Sequence, residues 1–179
     1  MNNRDRPIPL AYLITFSCYG ARLHGDERGT VNRDHNLPGT PFLPTKPGLR
    51  RYESSAMSAS PYAMDGPRRL HVLSAIRGVC AAKEWRLYAA HIRENHVHLV
   101  VNAIEAPETV MNAMKSYASR RLNEAGLDGG HCKRWTRHGS TKYLWDEKAV
   151  ADAAHYVLAE QGEPMVVYDC REDERGMDR

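Results

Sequence analysis

The run Asn95-His96-Val97-His98-Leu99-Val100 constrains this chain more than any other stretch. Its apolar, β-branched character reads as a strand, and side chains alternate across a strand. His96 and His98 therefore share one face while Val97 turns into the core. Two imidazoles on one rigid face need partners for their polar atoms if the face is covered. They also supply two nitrogen ligands and leave coordination positions open, as a catalytic divalent metal requires.

The rest of the chain supplies the frame. Residues 10–19 are rich in aromatic and β-branched types and read as a first strand, broken at Gly20. From Asn32 to Pro67 the prolines Pro38, Pro41, Pro44, Pro47, Pro61 and Pro67 interrupt any periodic pattern, so 32–67 reads as an irregular insertion. Apolar residues at helical spacing then predict a helix from Pro67 to Glu84, with Pro67 in its first turn. Trp85–Ala90 and His96–Val101 form a hairpin turning at Arg93-Glu94-Asn95. A second helix runs from Ala106 to Ala125 and stops at Gly126. His131–Gly139 reads as a basic, turn-rich segment, followed by a strand near Thr141–Trp145. A last helix runs from Asp146-Glu147 through Gln161, and the charged residues 167–179 read as a tail.

The order β-α-β-β-α-β-α predicts an α+β fold, a ferredoxin-like antiparallel sheet with helices packed on one face, in a single domain over residues 1–166. The chain has 179 residues with 42% hydrophobic and 26% charged, ordinary for one globular domain. No apolar run reaches about 18 residues and Met1–Arg6 hold no apolar segment, so a cytoplasmic protein without membrane contact is expected. Four cysteines without paired spacing argue against a zinc ribbon or a disulfide framework. A net charge of +3 permits a polyanionic partner without requiring one.

On the last helix, Tyr156 and Glu160 stand four apart and share a face. If that face docks over the histidine strand, Glu160 becomes a third ligand with Gln161 as its competitor, and Tyr156 presents its phenol beside the metal. Otherwise Tyr156 packs in the core and Glu160 is solvated. Lys133-Arg134-Trp135-Thr136-Arg137-His138 combines cations with an exposed-looking indole, the combination that single-stranded nucleic acid binding uses. Arg120 and Arg121 extend this patch; the alternative is a solvated loop around a core tryptophan.

These features resemble the single-tyrosine HUH transposases, the insertion-sequence-200 type and the REP-associated tyrosine transposases. The resemblance rests on Asn95-His96-Val97-His98, on Tyr156 with Glu160, on Thr15-Phe16 in the opening strand and on Lys115-Ser116 in a helix. It implies an HUH-type fold and a Mg²⁺- or Mn²⁺-dependent endonuclease and strand transferase acting on single-stranded DNA hairpins. Tyr156 would be the nucleophile, with Tyr117 and Tyr143 as rivals, and His96, His98 and Glu160 or Gln161 the ligands. The family's amide at the fourth position after the tyrosine is here a carboxylate. Monomeric and homodimeric action are both open, as is a non-catalytic nucleic-acid-binding role.

Overall fold

The computed structural model describes residues 8–21, 59–128 and 132–177. The first part of the 32–67 insertion, 32–58, lies outside the described residues. Strand β1 (Ala11–Cys18) leads to helix α1 (Gly66–Ala82) after the excursion. The hairpin β2 (Arg86–Ile92) and β3 (His96–Asn102) follows, then α2 (Pro107–Glu124), β4 (Trp135–Leu144) and α3 (Glu147–Ala159). The described chain closes with β5 (Val166–Asp169) and α4 (Cys170–Met177).

The sheet order is β4-β1-β3-β2-β5, and every neighbouring pair is antiparallel. The first four strands in this order reproduce the expected ferredoxin-like sheet, with β5 added beside β2. Helix starts follow their caps. Asp65 accepts from the Arg68 amide at 3.0 Å before Pro67, and Asp146 accepts from the Ala149 amide at 2.7 Å.

One face of the sheet carries the main core. Tyr12, Ile14, Phe16 and Cys18 of β1 and Val97, Leu99 and Val101 of β3 pack against Val72, Ile76 and Val79 of α1 and Val110, Met114, Ala118 and Leu122 of α2. Helix α3 does not join them. It covers the opposite face, where Ala153 and Val157 meet Ala11, Ala89, Val100 and Leu144. Helices on one face only is therefore corrected to helices on both. The reason is local: α3 buries only two residues, Ala153 and Val157, one turn apart, and fits a small apolar patch rather than the main core.

Two further expectations change. The charged tail beginning at 167 instead contributes β5, because Val166–Asp169 pair with Ala89–Ile92 along the open edge of β2. Helix α4 follows, tied to α1 by Arg77 and Asp173 at 2.8 Å. The turn-rich segment 131–139 yields most of β4, whose pairing with β1 is irregular between Phe16 and Cys18. There the buried Lys115 ammonium donates to the carbonyls of Thr136 at 3.0 Å, His138 at 3.2 Å and Arg137 at 3.4 Å. Burial holds its pKa below the ordinary lysine value.

The segment 62–64 also packs inward, with Tyr62 and Met64 buried. The two ends of the excursion meet, since the Tyr62 amide donates to the Tyr19 carbonyl at 2.8 Å. Beside them the Asp128 carboxylate takes Arg134 Nε at 2.7 Å, Arg68 Nε at 2.9 Å and the Tyr62 hydroxyl at 3.0 Å. Burial pushes this carboxyl up, but the hydrogen bonds from Arg134, Arg68 and Tyr62 outweigh it and leave its pKa below the ordinary value.

Candidate active site

Strand alternation puts His96 and His98 on the α3 face of β3, opposite Val97 and Leu99. Their rings lie 4.7 Å apart, nearly perpendicular at 85°. His96 Nδ1 donates to Asn95 Oδ1 at 2.6 Å, and His98 Nδ1 lies 2.7 Å from Thr15 Oγ1 on the neighbouring strand. His98 is only 7% exposed. An imidazole that leans on an oxygen through Nδ1 offers Nε2 as its ligating atom. The pair thus fits a divalent cation as two nitrogen ligands.

Helix α3 brings Tyr156 to the same place. Its ring centroid is 6.0 Å from that of His98, and the residue is 39% exposed. The phenol is thus held beside the histidines and open to a large substrate. Both rival tyrosines stand elsewhere. Tyr117 packs on the main core with the Arg120 guanidinium 4.3 Å over its ring. Tyr143 sits opposite Tyr12 in register and meets it edge-on at 5.3 Å, on the α1/α2 side. The sheet separates them from His96 and His98.

The oxygen donor is less settled in position. Helix α3 ends at Ala159, not Gln161; Glu160 is its C-cap, and the Glu160 amide still donates to the Tyr156 carbonyl at 3.2 Å, so the two residues keep their one-turn spacing. Glu160 turns its exposed carboxylate toward His155 Nε2 at 3.7 Å. Gln161 Nε2 donates at 3.2 Å to the Tyr156 carbonyl, which also accepts the Glu160 amide. Gly162, at φ 75°, then reverses the chain toward β5. Among the described residues no group of three or more His, Cys, Asp and Glu could hold a metal. A third ligand from α3 would have to be the Gln161 amide or a reoriented Glu160.

His91 is a site residue that the sequence reading missed. It pairs with His98 in register and is fully buried. Its Nδ1 donates to the Val157 carbonyl at 3.1 Å and its Nε2 accepts the Met165 amide at 3.2 Å. It therefore ties β2 to the last turn of α3 and to the segment after it. Burial lowers its pKa, the bond to Val157 opposes this, and Arg93 adds to the lowering.

The expected nucleic-acid patch divides. Arg134 leaves it, because its guanidinium is buried against Asp128 and Asn123 Oδ1, the latter at 2.6 Å. Trp135 leaves it too. Its indole N–H donates to Ser119 Oγ at 2.9 Å and to the Lys115 carbonyl at 3.1 Å, and its ring meets Phe16 edge-on at 5.2 Å. Exposed side chains remain at Lys133, beside the Tyr19 ring at 4.5 Å, and at Arg137. Arg120 and Arg121 are exposed on α2, in the layer opposite the histidines.

Residues 62–148 match the family described as Transposase IS200 like. No curated protein matches the chain. Among solved structures, a REP-associated tyrosine transposase bound to a REP hairpin is similar at 14% identity with a TM-score of 0.50, covering 98% of this chain and 87% of that one. A structure from Deinococcus radiodurans R1, provisionally described as a transposase, aligns at 12% identity with a TM-score of 0.44, over 88% of this chain and 95% of that one. The resemblance to these transposases is borne out by the family match, which spans the histidine strand and ends before Tyr156, and the α+β fold is that of the first structure.

Proposed function

We propose that this chain, similar to the IS200-like transposases over residues 62–148, cleaves and rejoins single-stranded DNA through Tyr156. The observation that carries this is the packing of the Tyr156 ring against His98 on the open face of the sheet, in one chain. A hairpin substrate is supported by the structural neighbour, which is bound to a REP hairpin.

The Tyr156 oxygen attacks the phosphorus and loses its proton to solvent. The bond to the 3′-oxygen breaks, that oxygen takes up a proton, and a 5′-phosphotyrosine link remains. Bond energy is conserved, so a second 3′-hydroxyl can reverse the step and join new ends. A protonated phenol is a weak nucleophile, so the site must help it by position. His98 and the Val157–His91 bond fix where α3 presents the ring. Mg²⁺ or Mn²⁺ held by His96 and His98 would supply charge stabilisation at the phosphate. We take Gln161 as the third donor, since its amide is already held at the helix end and Glu160 is turned to His155. Lys133 and Arg137 would contact phosphates, with Arg120 and Arg121 reached around the sheet end.

Tyr156 acts in cis in this reading. Helix α3 is joined at both ends to strands of one sheet, β4 before it and β5 after it. Passing it to a partner would break the β2–β5 pairing and both His91 bonds. Mixing His96→Ala with Tyr156→Phe protein should then recover no activity; recovery would establish a trans site and overturn this part.

The main test uses a labelled single-stranded hairpin with Mn²⁺. A covalent protein–DNA adduct should form, vanish in Tyr156→Phe and survive Tyr117→Phe. The exposed, His155-directed Glu160 favours one second reading, a hairpin-binding protein without cleavage. Binding with no adduct and no cleavage in either Mg²⁺ or Mn²⁺ would establish that reading instead.

A further inference from the structure

A polar row crosses the α3 face of the sheet. In register it runs Ser140 on β4, Thr15 on β1, His98 on β3 and His91 on β2. Its two histidines are held differently. His91 spends Nδ1–H on Val157 and Nε2 on Met165, so it has no ligating atom to offer. His98 leans through Nδ1 on Thr15. His96, one strand position away, does the same on Asn95 Oδ1, an oxygen that can only accept.

Thr15 is itself held in place from the far side. Gly139 of β4 pairs with Phe16. A methyl group at Gly139 would fall well inside contact distance of the Thr15 carbonyl oxygen and of Met111 Sδ, and 3.3 Å from Phe16 Cβ. The methionine end can swing away; the peptide oxygen moves only if β1 moves. So β4 lies this close to β1, beneath α2, because position 139 has no side chain.

We infer that Thr15 and Gly139 are positioning residues for the histidine pair. Thr15 accepts the Nδ1–H of His98 and sets its tautomer, leaving Nε2 as the metal-binding atom. Gly139 sets the depth of the Thr15 peptide and hence the reach of its hydroxyl. This rests on the reading of His96 and His98 as ligands, and it adds a chain of control running from the sheet edge to the site. Neither residue touches substrate.

The test begins on metal-free protein with ¹⁵N-labelled histidine. Nitrogen–proton NMR correlations should show His98 protonated at Nδ1 in the native chain and in Thr15→Ser, and at Nε2 in Thr15→Val. Mn²⁺ binding followed by electron paramagnetic resonance should weaken roughly 10- to 100-fold in Thr15→Val and stay near native in Thr15→Ser. Gly139→Ala should weaken it by a smaller factor, with hairpin affinity in the absence of metal unchanged. Should Gly139→Ala fail to fold by circular dichroism, the two Thr15 variants still decide. A native His98 protonated at Nε2, or unchanged Mn²⁺ affinity in Thr15→Val, would overturn the inference. If native protein binds no Mn²⁺, the ligand reading fails, while the tautomer of His98 still judges the Thr15 contact on its own.

Discussion

The two faces of strand β3 show how one short segment serves two ends. Val97, Leu99 and Val101 are fully buried beneath α1 and α2, in a layer without a titratable group on this strand. One residue out of phase, His96 and His98 look toward α3, which covers only the apolar part of its face and leaves Tyr156 open. The first face holds the strand rigid. The second borrows that rigidity to hold imidazoles at fixed spacing. Precision at the site thus comes from packing that the substrate never meets.

This division predicts opposite responses to substitution. Tyr156→Phe should abolish the covalent adduct while leaving thermal unfolding within about 0.5 kcal/mol of native, as for a surface change; calorimetry beside the adduct assay checks both. Phe16→Ala, on the other face, should cost roughly 3–5 kcal/mol and lower Tm by several degrees or more. In the fraction still folded, its adduct chemistry should persist. If Phe16→Ala stopped the chemistry in fully folded protein, the separation of the two faces would be broken.

Asp128→Asn should approach the same cost, about 3–5 kcal/mol, because it leaves the buried Arg134 guanidinium without a counter-charge and removes one of the two carboxylates paired with Arg68. The sign of its pH dependence follows from its lowered pKa. Stability from Asp128 is fully present above the ordinary carboxylate pKa of about 4 and is lost as pH falls through the lower folded value. Denaturant titrations from pH 6 to 3 should show an acid limb that flattens in Asp128→Asn.

His91→Gln should cost less, about 1–2 kcal/mol, through the bonds to Val157 and Met165. The His91 pKa is lowered in the fold. Its contribution is therefore complete above about pH 6.5 and declines as pH falls toward the folded value, where a protonated Nε2 can no longer accept the Met165 amide. Stability measured between pH 7 and 5 should depend less on pH in the variant. The smallest effect belongs to Glu160→Ala. Its Mn²⁺ affinity should stay within about twofold of native, whereas Gln161→Ala should lose roughly tenfold. The reverse order would return the third ligand to Glu160.

The hairpin and both long helices were legible because their apolar residues repeat at period two or at helical spacing, with a proline in the first turn of each helix. Arg134 and Trp135 were misread for a definite reason. What removes them from the surface is Asp128, Asn123, Ser119 and Phe16, partners that no local pattern connects to them. Strand β4 was shortened in prediction because Gly139 and the irregular pairing near Cys18 erase its alternation. Strand β5 was hidden by the charge that follows it, though Val166, Val167 and Tyr168 carry strand character. Strand alternation alone puts His96 and His98 on one face, but the placing of Tyr156 beside them was expected only once the family resemblance was added, since helix periodicity leaves open what Tyr156 faces. The contacts of Thr15 with His98 and of His91 with Val157 could not be read, because each is made across a neighbouring strand or helix.

One junction has a consequence for how this chain tolerates change. Tyr19 and Tyr62 are bonded main chain to main chain, with Tyr19 also held by the Arg134 carbonyl at 2.8 Å. The polypeptide leaves the sheet and returns to it at a single doorway. Loop-closure entropy grows only with the logarithm of length, about 0.6 kcal/mol per doubling. By that entropy alone, closing the excursion at this junction costs the sheet little more for a long segment than for a short one.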